Sequence, residues 1–255
     1  MQDDDAVHVR ERLAEGRLPD EAFDRLFPSE IRSTSVWQWT PVSVARVAAA
    51  RLVQHGARRV LDAGSGPGKF CTVGAGAHPL VTFIGIEQRV GLVSAARQVA
   101  KRLGVTNAHF VLGDALARPW RRFDGFYFFN PFTENLWGAP DVFDARAGGA
   151  KRRFRTEALR VAHRLREADR GSVVVTYHGL GGPLPSSYEL VCEENCGSGH
   201  LRTWLKARDH EEEWLHLDHR RVSRVSWDML RRDSVRGGLG RTKASSRHGP
   251  KEHDE

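Results

Sequence analysis

Asp62, Gly64, Gly66 and Gly68 stand at alternate positions in the run Val60-Leu61-Asp62-Ala63-Gly64-Ser65-Gly66-Pro67-Gly68-Lys69. Glycines so spaced let the backbone take positive φ and let a ligand lie directly on main-chain N–H groups. A helix beginning just after them would aim its positive end at the same spot. The acid ahead of the first glycine suits a ligand whose near end carries an ammonium group. Three further polar residues each follow an apolar run: Glu87, Asp114 and Asn130. Glu87, about twenty residues past the loop, can accept both hydroxyls of a ribose in a bidentate manner. Asp114, with Ala115 beside it, is placed to accept from the amino group of an adenine. Asn130-Pro131-Phe132 closes the last of these runs, where a reacting group would be delivered. Each acid alone has an ordinary explanation as a turn former or helix cap. Four such residues in register with a glycine loop do not share one.

The elements that must carry these residues follow from the hydrophobic pattern. Short apolar runs at 60–63, 81–86, 108–112, 126–129 and 172–177 alternate with helix-compatible stretches at 41–54, 68–76, 92–103 and 151–168. Alternating strand and helix predicts a parallel sheet covered on both faces. Two more strand-like runs, 188–193 and 201–206, flank the turn-rich Asn195-Cys196-Gly197-Ser198-Gly199 and predict a terminal antiparallel hairpin. The fold class is therefore α/β: a doubly wound, mostly parallel sheet of about seven strands, ligands binding outside the carboxyl ends of the strands. Thr40 followed by Pro41 predicts a helix start, a hydroxyl at the N-cap with proline in the first turn.

Two ligand families use such a corner, dinucleotides and S-adenosylmethionine. The dinucleotide fingerprint is G-x-G-x-x-G, but Lys69 stands where its last glycine belongs, and Asp62 would sit badly beside a pyrophosphate. The loop resembles motif I of the class I S-adenosylmethionine-dependent methyltransferases in its D-x-G-x-G-x-G form. The resemblance runs from Val60 to Phe132 and continues in the sheet pattern to Lys206. It implies S-adenosyl-L-methionine as cofactor, with Gly64, Ser65, Gly66 and Gly68 on the methionine part, Glu87 on the ribose and Asp114 on the adenine. Gln88 would reach the ribose or adenine edge. Asn130-Pro131-Phe132 is similar to a trimmed Asn-Pro-Pro-aromatic motif of amino-directed methyltransferases, which makes Asn130, Pro131 and Phe132 the candidate catalytic residues and adds Asn130 to the cofactor set. One proline in place of two puts an exocyclic base amine in doubt. The layout is also loosely similar to the non-SET protein-lysine methyltransferases. In the class I family a segment ahead of the first strand often folds over the cofactor, so Trp37, Trp39 and Thr40 are candidates for cover, or else aromatics packing the N-terminal segment onto the sheet. Methyl transfer from an activated sulfonium needs mainly positioning and a dry pocket. A general base, if used, is sought at Tyr177 or His178.

On this reading residues 1–40 are an accessory segment, 41–207 the methyltransferase domain, 208–233 a helical extension and 234–255 a disordered basic tail. The 255 residues carry a net charge of +7, but from His219 onward ten Lys/Arg face five Asp/Glu, so +5 of the excess lies outside the methyltransferase domain. Nucleic acid is thus a weakly supported partner. Three cysteines make no disulfide framework. The acidic Met1–Asp5 lacks a signal-peptide layout, and no apolar run reaches membrane-spanning length, so the expectation is a cytoplasmic protein with no membrane partner. Cys192, Cys196 and His200 form C-x3-C-x3-H without a second ligand pair, and no metal site is expected. The methyl acceptor is unidentified: a protein side chain, a nucleic-acid base or a small molecule. The oligomeric state is open. The rival functions are a nicotinamide-dependent oxidoreductase on the same fold and a non-catalytic nucleic-acid-binding module.

Overall fold

The computed structural model describes residues 8–9, 11–13, 15–33, 39–129 and 145–209, with the backbone alone for 145–154. Its seven strands are β1 (Arg59–Ala63), β2 (Thr82–Glu87), β3 (Ala108–Leu112), β4 (Gly125–Phe129), β5 (Val173–Tyr177), β6 (Tyr188–Cys196) and β7 (Gly199–Lys206). They form one sheet in the order β3-β2-β1-β4-β5-β7-β6. β1 to β5 pair in parallel, and β7 runs antiparallel to both β5 and β6. The order reverses between β1 and β4, so the loop after β1 opens into the crevice of the switch point.

Strand residues alternate between two buried layers, as parallel strands covered on both faces must. Val60, Phe83, Phe110, Tyr127, Val173, Val175 and Tyr177 face one core. Helices α3 (Val42–Gln54), α4 (Lys69–Ala77) and α5 (Val90–Arg102) close it. Leu61, Ile84, Ile86, Phe126, Phe128 and Val174 face the other, under α6 (Ala145–Glu167) and the short turns that carry Leu116 and Trp120. Lys206, at the end of β7, donates to the carbonyls of Arg166 (2.8 Å) and Ala168. That sets a cation on the unsatisfied carbonyls that end α6. Two short helices, α1 (Asp20–Asp24) and α2 (Ser29–Arg32), precede this unit. Among the described residues no helix is long and apolar enough to cross a membrane, and no three His, Cys, Asp or Glu side chains gather as metal ligands.

Three expectations need correction. Thr40 does not cap α3: Pro41 holds the cap position without a side-chain bond, and the Val42 N–H donates instead to Asp20 Oδ1 at 2.8 Å. The Thr40 hydroxyl is drawn to the Tyr127 hydroxyl, 3.0 Å away. α6 is already helical at Ala145, the first described residue after position 129, rather than from 151, and it runs through Gly148-Gly149. The glycines cost about 1 kcal/mol each relative to alanine, which the surrounding Ala, Arg and Lys tolerate. β6 and β7 extend further than expected and leave only Gly197-Ser198 between them, with Gly197 at φ 58° as a two-residue hairpin demands. The expected extension and tail lie outside the described residues from position 210 on.

Candidate active site

The carboxyl ends of the parallel strands bring Asp62, the glycine loop, Glu87, Asp114 and Phe129 to one rim. Asp62 lies opposite Tyr127 across β1 and β4, Ala63 opposite Ile86, and Glu87 opposite Leu112. Phe129 lies opposite Tyr177 on β5. The loop between β1 and α4 holds Gly64, Gly66 and Gly68 at φ of 80°, 54° and 80°. A Cβ on Gly64 or Gly66 would meet nothing within 4 Å, so both open onto free space; one on Gly68 would come within 2.3 Å of the Phe110 ring. The first two glycines leave room for a ligand, and the third seats α4 on the sheet.

The loop N–H groups are not the free cradle the spacing suggests. Those of Gly64 and Ser65 both donate to the Ile86 carbonyl (2.8 and 3.2 Å), and that of Gly68 to the Ser65 carbonyl (2.9 Å). The chain leaving β1 simply continues its ladder with β2 for one more step. The Gly66 N–H donates to Glu87 Oε2 at 3.1 Å, tying the loop to the second strand's carboxylate. Ser65 Oγ is buried and finds no hydrogen-bond partner among the described residues.

Asp62 is 6% exposed and accepts from the Cys71 thiol at 3.7 Å. Burial pushes its carboxyl up to about 7, against the Cys71 hydrogen bond and helped by the Glu87 charge. It has no ion-pair partner among the described residues. Burial likewise drives the Cys71 thiol well above its ordinary value. Tyr127, stacked on Phe70 at 3.8 Å, is raised by burial, which the Thr40 hydrogen bond only partly offsets.

Glu87 is equally buried, but burial loses there to its donors, and the carboxyl lies below its usual range. Arg89 supplies most of them: its N–H and Nε reach Oε1 at 2.9 Å each, and Nη2 reaches Oε2 at 3.2 Å. Asp114 turns one oxygen to the Leu116 N–H (2.8 Å) and the other to Arg160 (3.4 Å). Ala115 beside it is buried and Gln88 is exposed. Asn130, Pro131, Phe132 and Trp37 lie outside the described residues. Thr40 is buried beside Tyr127, and Trp39 packs edge-on against Phe27 at 4.9 Å. The Tyr177 hydroxyl is taken up by Ser198 in the β6–β7 turn, 3.2 Å from both its N–H and its Oγ. His178 stands at φ 58° with its ring against those of Tyr177 and Phe129.

Two participants carry no local signal in the sequence. Arg89, two residues beyond Glu87, showed no pattern. Lys69 stands in the sequence only as the place of a missing glycine. It is 3% exposed and ion-pairs with Asp20 (2.5 Å) and Asp24 (2.7 Å). Two acids four apart on one short helix are the signal that could have found it.

A doubly wound sheet with a glycine loop at its switch point is an α/β architecture whose ligand crevice opens outside the carboxyl ends of β1 and β4. The family described as "Methyltransferase domain" matches residues 54–217. The chain belongs to that family and is a class I S-adenosylmethionine-dependent methyltransferase. No curated protein matches it. Among solved structures it is similar to TrmN from Thermus thermophilus, at 16% identity and a TM-score of 0.51, over 69% of this chain and 52% of that one. A methyltransferase from Geobacter sulfurreducens shares 14% identity over 72% of this chain and 95% of its own, at a TM-score of 0.48. An RNA methyltransferase from Salinibacter ruber, solved with S-adenosyl-L-homocysteine, shares 18% over 66% and 94%, at 0.44. At 16% identity the likeness to TrmN speaks for the fold alone. The family match does not favour the nicotinamide reading.

Proposed function

We propose that the chain transfers the S-methyl group of S-adenosylmethionine to an amine nitrogen, the cofactor lying along the rim from Asp62 to Asp114. The observation that carries this reading is the contrast between two buried carboxylates. Asp62 has no cation among the described residues and a raised pKa, which suits a site awaiting an ammonium group. Glu87 is ionised and held by donors, which suits a site built to accept hydroxyls. The open Cα faces of Gly64 and Gly66 and the unpartnered Ser65 hydroxyl fit a methionine part between them. Gly68 supports the loop from behind. Asp114 and Ala115, with Gln88 at the edge, receive the adenine, and Thr40 closes the methionine end.

When bound, the cofactor supplies an activated methyl on a sulfonium. The protein then has to exclude water and align a lone pair. Asn130 follows directly on Phe129, the last residue of β4, and in this reading its side-chain carbonyl accepts from the acceptor's N–H, with Pro131 and Phe132 completing the motif and the Phe132 ring serving the acceptor. Residues 1–40 serve as an accessory segment to the domain at 41–207. The acceptor is a protein side chain, a nucleic-acid base or a small molecule.

The test is transfer of methyl-labelled S-adenosylmethionine into fractionated cell lysate, with Glu87→Gln as control. Label appearing in one fraction with the wild type alone identifies the acceptor class. No label above the control in any fraction would overturn the proposal.

A further inference from the structure

Lysine is rarely buried unless paired, and it is unfavourable in the first turn of a helix, where the backbone already presents positive charge. Lys69 is both buried and the first residue of α4. Packing α4 on the sheet does not require it, since Gly68 and Phe70 make those contacts. Its ammonium points the other way, into the N-terminal segment. Nζ lies 2.5 Å from Asp20 Oδ1 and 2.7 Å from Asp24 Oδ1, and stands 5.6 Å from the Phe23 ring centre and 5.7 Å from that of Trp39. Two carboxylates and two aromatic faces make a full cage for a cation. Asp20 Oδ1 accepts in addition from the Val42 N–H, so one carboxylate joins the glycine-loop helix to the start of α3.

The residues thus fixed lead directly to the methionine end of the rim. Trp39, under Lys69, is followed by Thr40, whose hydroxyl meets Tyr127. Tyr127 is stacked on Phe70, the residue after Lys69, and lies opposite Asp62 in the sheet. We infer that Lys69 is a positioning residue that fastens the N-terminal segment to the glycine loop and so holds Trp39 and Thr40 against the amino-acid end of the cofactor. This rests on the cofactor placement proposed above.

The consequence is selective. Loss of the Lys69 cage loosens the cover of the methionine part and leaves the ribose and adenine contacts at Glu87 and Asp114 untouched. Calorimetric titration with two ligands separates these: S-adenosylhomocysteine carries the amino-acid end, and 5′-methylthioadenosine lacks it. In Lys69→Met, S-adenosylhomocysteine affinity is expected to fall about tenfold or more while that of methylthioadenosine stays within about twofold. Lys69→Arg, which keeps the charge and can reach both carboxylates, restores most of the loss. Asp24→Asn removes one wall of the cage and keeps Lys69 paired with Asp20, so it gives a smaller split of the same sign, and it carries the test should Lys69→Met fail to fold. Equal losses for both ligands, or no loss for either, in these variants would overturn the inference. Wild-type protein that binds neither ligand would overturn the cofactor placement first and the inference with it.

Discussion

Replacing Arg89 by alanine should tighten cofactor binding, the opposite of what removing a basic residue from a binding rim usually does. Each carboxylate oxygen accepts about two hydrogen bonds. Glu87 already receives four: two from Arg89 at Oε1, and one each from Arg89 and the Gly66 N–H at Oε2. Ribose hydroxyls reaching for this carboxylate must therefore displace the guanidinium. The Arg89 side chain is 49% exposed and can leave for water, whereas Glu87 at 5% cannot. A fully buried charged hydrogen bond is worth about 1.5–3 kcal/mol, but a half-exposed ion pair only about 0–1 kcal/mol. With about 1 kcal/mol for the pair, Arg89→Ala lowers the dissociation constant of S-adenosylhomocysteine about fivefold. Salt adds a second sign. Screening weakens the Arg89–Glu87 pair, so wild-type affinity should rise modestly with ionic strength while that of Arg89→Ala stays flat. Titration calorimetry at two salt concentrations reads both. Weaker binding by Arg89→Ala would mean that the guanidinium contacts the cofactor, and the reasoning would be wrong.

The loop glycines should separate in a thermal melt. Gly66→Ala meets no neighbour and pays only the left-handed backbone strain, about 1–2 kcal/mol. Gly68→Ala adds overlap with Phe110 and should cost about 1–3 kcal/mol more. Only the first places its new methyl in the open space of the site, so among folded variants Gly66→Ala should lose more S-adenosylhomocysteine affinity than its stability change explains. Asp62 supplies a pH signature. Its folded value of about 7 lies above the unfolded one near 3.9, so between those values the native state binds the extra proton. Stability then falls as pH rises through that window, by at most about 1.4 kcal/mol per unit, and levels off above it. Asp62→Asn should flatten the slope. Because an ammonium group selects the ionised carboxylate, S-adenosylhomocysteine affinity should climb with pH up to about 7 in the wild type and not in Asp62→Asn; parallel profiles in the two proteins would exclude Asp62 as the ammonium partner.

Much of the fold was legible because buried parallel strands leave a local imprint. Val60-Leu61, Phe83-Ile84 and Val173-Val174-Val175 are apolar at every position because both faces are covered. The acids at the strand ends stand out against such runs. The partners of those acids were not legible, since they come from contacts with no fixed spacing. Asp20 reaches α3 and Lys69 from the N-terminal segment, and local rules gave the cap to Thr40, which a buried tyrosine hydroxyl had claimed. Glycine spacing announced a loop of positive φ correctly. It could not say that a neighbouring strand's carbonyl would absorb two of its N–H groups. Arg89 is exposed and follows no periodicity, so its hold on Glu87 appears only in three dimensions.

In the proposed complex Asp62 and Glu87 face two portions of one bound sulfonium nucleoside. Titration of S-adenosylhomocysteine and, separately, of NADH into the wild type, Asp62→Asn and Glu87→Gln decides whether they do. One site per chain for S-adenosylhomocysteine is expected in the wild type, with clear weakening in each variant and no site for NADH. Equal binding of S-adenosylhomocysteine by all three proteins, or a site for NADH alone, would contradict it.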